Sequence, residues 1–283
     1  MKKVLIRLIT LLAVAAPLAM AQAHKAPPSP KSPRLYIFDC GTINATDASG
    51  YRLTKEEVAT TKMSMECFLI AHPKGNLMWD VGAIPDASFP PGGPGTLRNA
   101  VATKTLLSQL AEIGYGLADI NFLALSHFHW DHIGNSNLFA GATWLTPKAE
   151  RDFMFAEPAS PRTEPANFSA LKNSKTVFLT KDEYDVFGDG TVVIRAAPGH
   201  SPGHQVLYLK LTKTGPVVLS GDLYHYAEER KLNRLPTSEY NVDQTVASRA
   251  AVEAYLKKSG SQLWIQHDFN GSAKLKKSPL FYE

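Results

Sequence analysis

Ser126-His127-Phe128-His129-Trp130-Asp131-His132 follows directly on an apolar run at residues 121–125 and puts three imidazoles and a carboxylate side by side. Neutral imidazole nitrogens and carboxylate oxygens suit a borderline cation such as zinc, and a strand running into a tight loop can aim them at one centre. A His-rich surface turn is the bland alternative, but composition alone accounts poorly for an H-x-H-x-D-H order in a chain with nine His. The leading reading is a metal-dependent hydrolase.

Upstream of this stretch, strand signals at residues 35–40, 66–71 and 76–79, the last two joined by a turn at Lys74-Gly75, open the domain like a β-meander. Leu106, Leu107, Leu110 and Ile113 share one helical face, and Gly114 supplies a stop, so a helix is expected over 98–113. Downstream, a short helix should follow the His cluster, then a strand at 143–145, a helix opened by Pro147 and a Pro-rich irregular stretch at 157–165. Further strands are expected at 192–196, 205–211 and 217–219, then a helix over 243–258 and a buried strand at 262–266. Two β-rich halves, each with helices that must cover one sheet face, give an α/β fold: a four-layer αβ/βα sandwich.

The ends of the chain bear on location. Lys2 and Lys3 precede, and Arg7 falls early within, an apolar stretch at residues 4–19 that is too short for a stable membrane anchor. Ala19-Met20-Ala21 and Ala21-Gln22-Ala23 both fit a small-x-small cleavage pattern, so residues 1–23 read as a secretory signal and the protein as exported, periplasmic or secreted. Residues 24–33 (HKAPPSPKSP) read as an extended Pro-rich leader, and 34–283 as a single catalytic domain. Three of the 30 basic residues lie in the signal, leaving 27 against 26 acidic ones. A near-neutral chain with no polybasic run gives no support to nucleic-acid binding. Cys40 and Cys67 sit in separate strand-like runs; export permits a disulfide between them, while each also reads as a buried small hydrophobe.

Four polar clusters fall at expected strand ends: the His127 cluster, Pro198-Gly199-His200-Ser201-Pro202-Gly203-His204, Ser220-Gly221-Asp222, and Gln266-His267-Asp268. In this order they resemble the metallo-β-lactamase superfamily, whose pattern runs H-x-H-x-D-H, a Gly-His turn, a bridging Asp and a final His. The likeness spans residues 35 to about 270. APGHSPGH, the early strand YIFDCG and the closing IQHDF are most similar to the N-acyl homoserine lactonases, which are quorum-quenching lactone hydrolases.

The resemblance implies two zinc ions, or other divalent metals. His127, His129 and His204 would hold one, Asp131, His132 and His267 the other, and Asp222 would bridge them. His200 would be an outer partner rather than a ligand. A hydroxide between the metals would attack the lactone carbonyl, and Asp131 would return a proton to the leaving alkoxide. Three residues after Asp222, where the best-known lactonases carry Tyr, this chain has His225, with Tyr224 one position earlier; either is a candidate hydrogen-bond donor to the substrate. Loops at 83–97 and 153–168 and the Tyr224-His225-Tyr226 run would rim the mouth. The expected partner is a small-molecule lactone, and the resemblance allows a homodimer that no stretch of sequence demands. Rival readings are a β-lactamase, another lactone or aryl esterase or an organophosphate hydrolase on the same scaffold, and, outside enzymes, a zinc-binding protein. A bridging Asp222 argues against the β-lactamase, and the number of donor groups argues against a closed structural zinc site.

Overall fold

The computed structural model describes residues 26–283, so the expected signal at 1–23 and the start of the leader lie outside the described residues. Among the described residues no helix is long and apolar enough to cross a membrane.

Among the described residues, fourteen strands form two sheets. They are β1 (Arg34–Asn44), β2 (Lys62–His72), β3 (Gly75–Trp79), β4 (Gly95–Leu97), β5 (Ala100–Ala102), β6 (Phe122–Ala124), β7 (Thr143–Pro147), β8 (Thr176–Leu179), β9 (Glu183–Asp185), β10 (Val192–Ala196), β11 (Gln205–Leu211), β12 (Gly215–Leu219), β13 (Gln262–Trp264) and β14 (Phe281–Tyr282). The first sheet runs β4-β5-β1-β2-β3-β6-β7-β8, with β14 also paired to β1; the second runs β13-β12-β11-β10-β9. β1, β2 and β3 form the antiparallel meander expected from the sequence, whereas β3, β6, β7 and β8 are parallel. Parallel neighbours need crossovers, and these place helices over the outer face of the first sheet.

Period-two alternation sorts each strand's side chains between layers. Leu35, Ile37, Phe68, Ile70, Leu77 and Trp79 point between the sheets and meet Val192, Ile194, Leu207, Leu209, Val217 and Leu219 from the second. Their neighbours Tyr36, Phe38, Leu69, Met78 and Leu123 face outward and pack with Leu106 and Leu110 of the helix Leu106–Glu112. On the far side, Val206 and Val218 are covered by Val252 and Leu256 of the helix Val242–Ser259. The result is the four-layer αβ/βα sandwich, and each fully buried aliphatic or aromatic side chain stabilises it by about 1.5–3 kcal/mol.

Two sequence readings change, and one left open is decided. The helix expected over 98–113 begins only at Leu106, because the preceding residues form the β4–β5 hairpin and Val101 pairs with Thr42 of β1. Its start is fixed by Thr105, whose hydroxyl accepts from Ser108 N–H (3.2 Å), and by Asp86, whose carboxylate accepts from the N–H groups of Leu106 and Leu107 (2.8 Å each). The closing strand β13 ends at Trp264 and is partly exposed rather than buried. Cys40 and Cys67 form a disulfide with Cα atoms 6.0 Å apart; Cys40 falls where the β1–β2 register shifts between Asp39 and Thr42.

Candidate metal centre

The site lies where strands of both sheets end. β6 stops at Ala124, and the chain turns through Ser126 to His132 before the short helix Trp130–Ile133. Asp80, immediately after β3 and fully buried, anchors this turn. Its Oδ1 accepts from Ser126 N–H (2.6 Å), and its Oδ2 meets His132 Nδ1 (2.9 Å) and accepts from Gln266 Nε2 (3.0 Å). Glu150 of the helix Lys148–Met154 ties this turn to the Gly-His turn. One oxygen accepts from Phe128 N–H and the other from Ser201 Oγ and Gly203 N–H, each at 2.7 Å. Burial pushes the Glu150 carboxyl up to about 7, against the pull of those hydrogen bonds.

Two glycines allow the remaining loops to close in. Gly199 sits at φ +134°, where a Cβ would lie 2.2 Å from Thr245 N of the covering helix. Gly221, at φ +48°, brings Asp222 under the turn, and a Cβ there would lie 2.7 Å from His204 Nε2. Both positions need a residue without a side chain.

The side chains form two groups sharing one carboxylate. His127, His129, His200 and Asp222 offer donor atoms within 4.8 Å of one another, as do Asp131, His132 and His267. Asp222 Oδ2 lies 3.4 Å from His127 Nε2 and 3.3 Å from His200 Nε2, while its Oδ1 lies 3.0 Å from His132 Nε2 and 3.1 Å from His267 Nε2. His129 Nδ1 is 2.8 Å from both His127 Nε2 and His200 Nε2, and Asp131 Oδ2 is 3.4 Å from His267 Nε2. The outward ring nitrogens are held in turn: His267 Nδ1 by Ser64 O (2.7 Å), His200 Nδ1 by Glu239 (3.2 Å) and His127 Nδ1 by Ser126 Oγ (3.1 Å). Orienting one nitrogen fixes what the other can offer.

At His132 and His200 burial disfavours the charge, but Asp222 and the other carboxylates beside them outweigh it and raise both imidazoliums. Burial lowers the His127 and His129 imidazoles well below their usual range, and neighbouring imidazoles add to this, so both present neutral lone pairs. For Asp222, burial opposes ionisation but the surrounding imidazoles, His132 first, outweigh it and hold the carboxylate well below its ordinary range. His132 Nε2 and Asp222 Oδ1 are buried with no hydrogen-bond partner although they face each other. Buried polar atoms left so are costly, and a cation between the groups would satisfy both.

All but one of the residues expected to ligate metal are thus brought together; the exception is His204. Its Nδ1 pairs with Ala197 O (3.0 Å) and its Nε2 accepts from Asp222 N–H (2.9 Å), so both nitrogens are engaged by backbone groups. His200, read from sequence as an outer partner, stands with His127, His129 and Asp222 instead. His225 lines the cavity beside Asp222, held between Asp222 Oδ2 and Glu229 Oε2 at 3.2 Å each. Burial disfavours its charge, but those two carboxylates raise its imidazolium to about 10. Tyr224, the other candidate donor, is not among the residues lining the cavity; its hydroxyl donates to Glu253 (3.1 Å) and its ring packs under Arg249.

Sequence reasoning missed Asp80, Glu150, Glu239 and Tyr51. Asp80 carried a signal in Trp79-Asp80-Val81-Gly82, an acid at an apolar strand end, whereas Glu150 and Glu239 sit in stretches with no distinguishing pattern. An open cavity of about 350 Å³ lies over the cluster, with Asp131, Asp222, His225 and Tyr51 in its wall, Ile43 and Met63 on an apolar side, and Arg162 at the rim.

The fold and this centre define a metallo-hydrolase scaffold: the chain matches the metallo-beta-lactamase superfamily over residues 66–259 and belongs to that superfamily. It is similar to the N-acyl homoserine lactonase AttM of Rhizobium radiobacter, 29% identical over 260 residues that cover 88% of this chain and 98% of the relative. The N-acyl homoserine lactonase of Bacillus cereus is 24% identical over 254 residues, 87% of this chain and 94% of the relative. Among solved structures, a quorum-quenching N-acyl homoserine lactone lactonase shares the fold with a TM-score of 0.73 at 21% identity, covering 88% of this chain and 97% of its own. AidC, a dizinc quorum-quenching lactonase, does so with 0.63 at 20% identity, covering 89% and 94%.

Proposed function

We propose that this protein is an exported hydrolase with two divalent metal ions, zinc in the native enzyme, that opens the lactone ring of N-acyl homoserine lactones. The observation that carries the reading is the Asp222 carboxylate, one oxygen facing His127 and His200 and the other facing His132 and His267. His127, His129 and His200 would hold one cation, Asp131, His132 and His267 the second, and Asp222 both. Full-length likeness to lactonases supports the choice of substrate.

Two cations there would supply a water-derived nucleophile near neutral pH and polarise an ester carbonyl. The chain's own residues supply the rest. Asp131, in the cavity wall, is placed to hold a proton at its carboxylate and pass it to the ring oxygen as that oxygen leaves. Ile43 and Met63 offer apolar surface to an acyl chain, and Asp80, Gln266 and Glu150 hold the donor groups in register from behind. The Cys40–Cys67 disulfide supports export to an oxidising compartment, periplasmic or extracellular.

The test is turnover by the zinc-loaded protein of short- and long-chain N-acyl homoserine lactones, a simple γ-lactone, a chromogenic β-lactam and an aryl phosphotriester. Preference for the acyl homoserine lactones is expected. Turnover of another substrate with none of the lactones would discard the lactonase assignment.

A further inference from the structure

We propose that Tyr51 is a catalytic residue of this site, its phenol donating a hydrogen bond to the substrate's carbonyl oxygen as negative charge develops there. The proposal rests on the ester-hydrolase reading above. Tyr51 closes a single 3-10 turn, Ser49–Tyr51, which Thr237 pins to the body through two hydrogen bonds to Gly50 O, from its N–H (2.8 Å) and its Oγ1 (3.1 Å). The ring lies against His225 with centroids 4.4 Å apart and edge-on to Tyr226 at 5.1 Å. Packed from two sides, it forms part of the same cavity wall as Asp131 and Asp222.

What singles out Tyr51 is that its hydroxyl has no hydrogen-bond partner among the described residues, although it belongs to a cavity wall lined with charged groups. Four neighbouring donors, by contrast, are committed. His225 spans Asp222 and Glu229, the Tyr224 hydroxyl donates to Glu253, and the Tyr226 hydroxyl donates to Thr61 O (2.9 Å). Arg162 is exposed, and its guanidinium already donates to Ser238 O (2.9 Å). A neutral phenol held by ring packing, with its O–H directed to no protein atom, is a preorganised donor for an oxyanion.

The step balances without a further reactant. Water oxygen bonds to the carbonyl carbon, and the C=O π pair moves onto the carbonyl oxygen, which accepts the Tyr51 hydrogen bond without proton transfer. The pair then re-forms C=O as the ring C–O bond breaks, and its electrons go to the ring oxygen, which takes the proton released by the attacking water by way of Asp131. Tyr51 acts on the charged state, so its removal falls on kcat.

Tyr51→Phe keeps the ring packing and removes only the donor. Because the cavity is open to water that can partly replace it, kcat should fall roughly 10- to 100-fold with KM within about threefold, the low side of the loss seen when an oxyanion donor is removed. Metal content should be unchanged. Affinity for a methylphosphonate analogue of the tetrahedral state should fall by the same factor as kcat, and affinity for the ring-opened hydroxy acid should not. If the wild type turns over an aryl ester or phosphotriester but no lactone, the lactonase reading fails, and the same kcat loss on that substrate still supports Tyr51. Unchanged kcat, a loss confined to KM, loss of metal, or equal phosphonate affinity in the two proteins overturns the proposal.

Discussion

Asp80→Asn tests whether the centre depends on a carboxylate that touches no substrate. Asp80 accepts three donors through two oxygens, and its left-handed backbone (φ +53°) is one that Asn also tolerates, so the variant keeps shape and conformation. The amide oxygen can still serve Ser126 N–H. Its NH2 group then faces Gln266 Nε2 and His132 Nδ1, and His132 can adapt only by moving its proton to Nε2. That places a proton where Nε2 faces Asp222 Oδ1 at 3.0 Å, and removes the lone pair that the Asp131–His132–His267 group needs. One charge-assisted hydrogen bond in a buried site contributes about 1.5–3 kcal/mol, and loss of a carboxylate partner to a ligating His weakens metal binding by about 10–100-fold. Titrating the apoprotein with zinc against a chromogenic chelator should therefore show one site near wild-type affinity and a second weakened by that factor, with activity recovering at excess zinc. Two sites within threefold of wild type would refute the reasoning.

Other outcomes follow from the same contacts. Tyr224→Phe, which loses one partly buried hydrogen bond to Glu253, should leave kcat/KM within about twofold and cost about 1 kcal/mol or less in urea unfolding. Cys40→Ala with Cys67→Ala, or reduction of the wild type, removes a cross-link between residues 27 apart and should lower unfolding free energy by about 3–4 kcal/mol on the loop-entropy scale. Glu150 is raised to about 7 in the fold, so its contribution is full below the ordinary carboxylate range and is lost as pH rises through 7. The stability gap between wild type and Glu150→Gln should accordingly shrink by up to about 3 kcal/mol between pH 4.5 and 8, measured by denaturant titration.

Much of this architecture was legible because the signals are local. His127, His129, Asp131 and His132 lie in one turn, Asp222 and His267 close strands, and alternation in β1, β2, β10 and β11 shows the layers. What stayed hidden depends on contacts distant in sequence. Nothing local tells His200 from His204 in a repeated Pro-Gly-His; the choice is made by Ala197 O and Asp222 N–H, which occupy both nitrogens of one and neither of the other. Asp80 and Gln266 meet across 186 residues, and the turn that carries Tyr51 to the cavity is pinned by the distant Thr237. The helix misread over 98–113 shows the same limit, since its apolar spacing is real but the pairing of Val101 with Thr42 claims the first turns for a hairpin.

We propose above that one carboxylate, Asp222, unites two cation sites into a lactone-opening centre. Zinc content by mass spectrometry, together with N-acyl homoserine lactone turnover, decides this for wild type and Asp222→Asn prepared side by side. Two zinc ions per wild-type chain with lactone opening, and in the variant fewer zinc ions with turnover down by about 10³-fold or more, are expected on the scale of losing a charge that organises the reaction. A variant that keeps both metals and opens the lactone at the wild-type rate would contradict it.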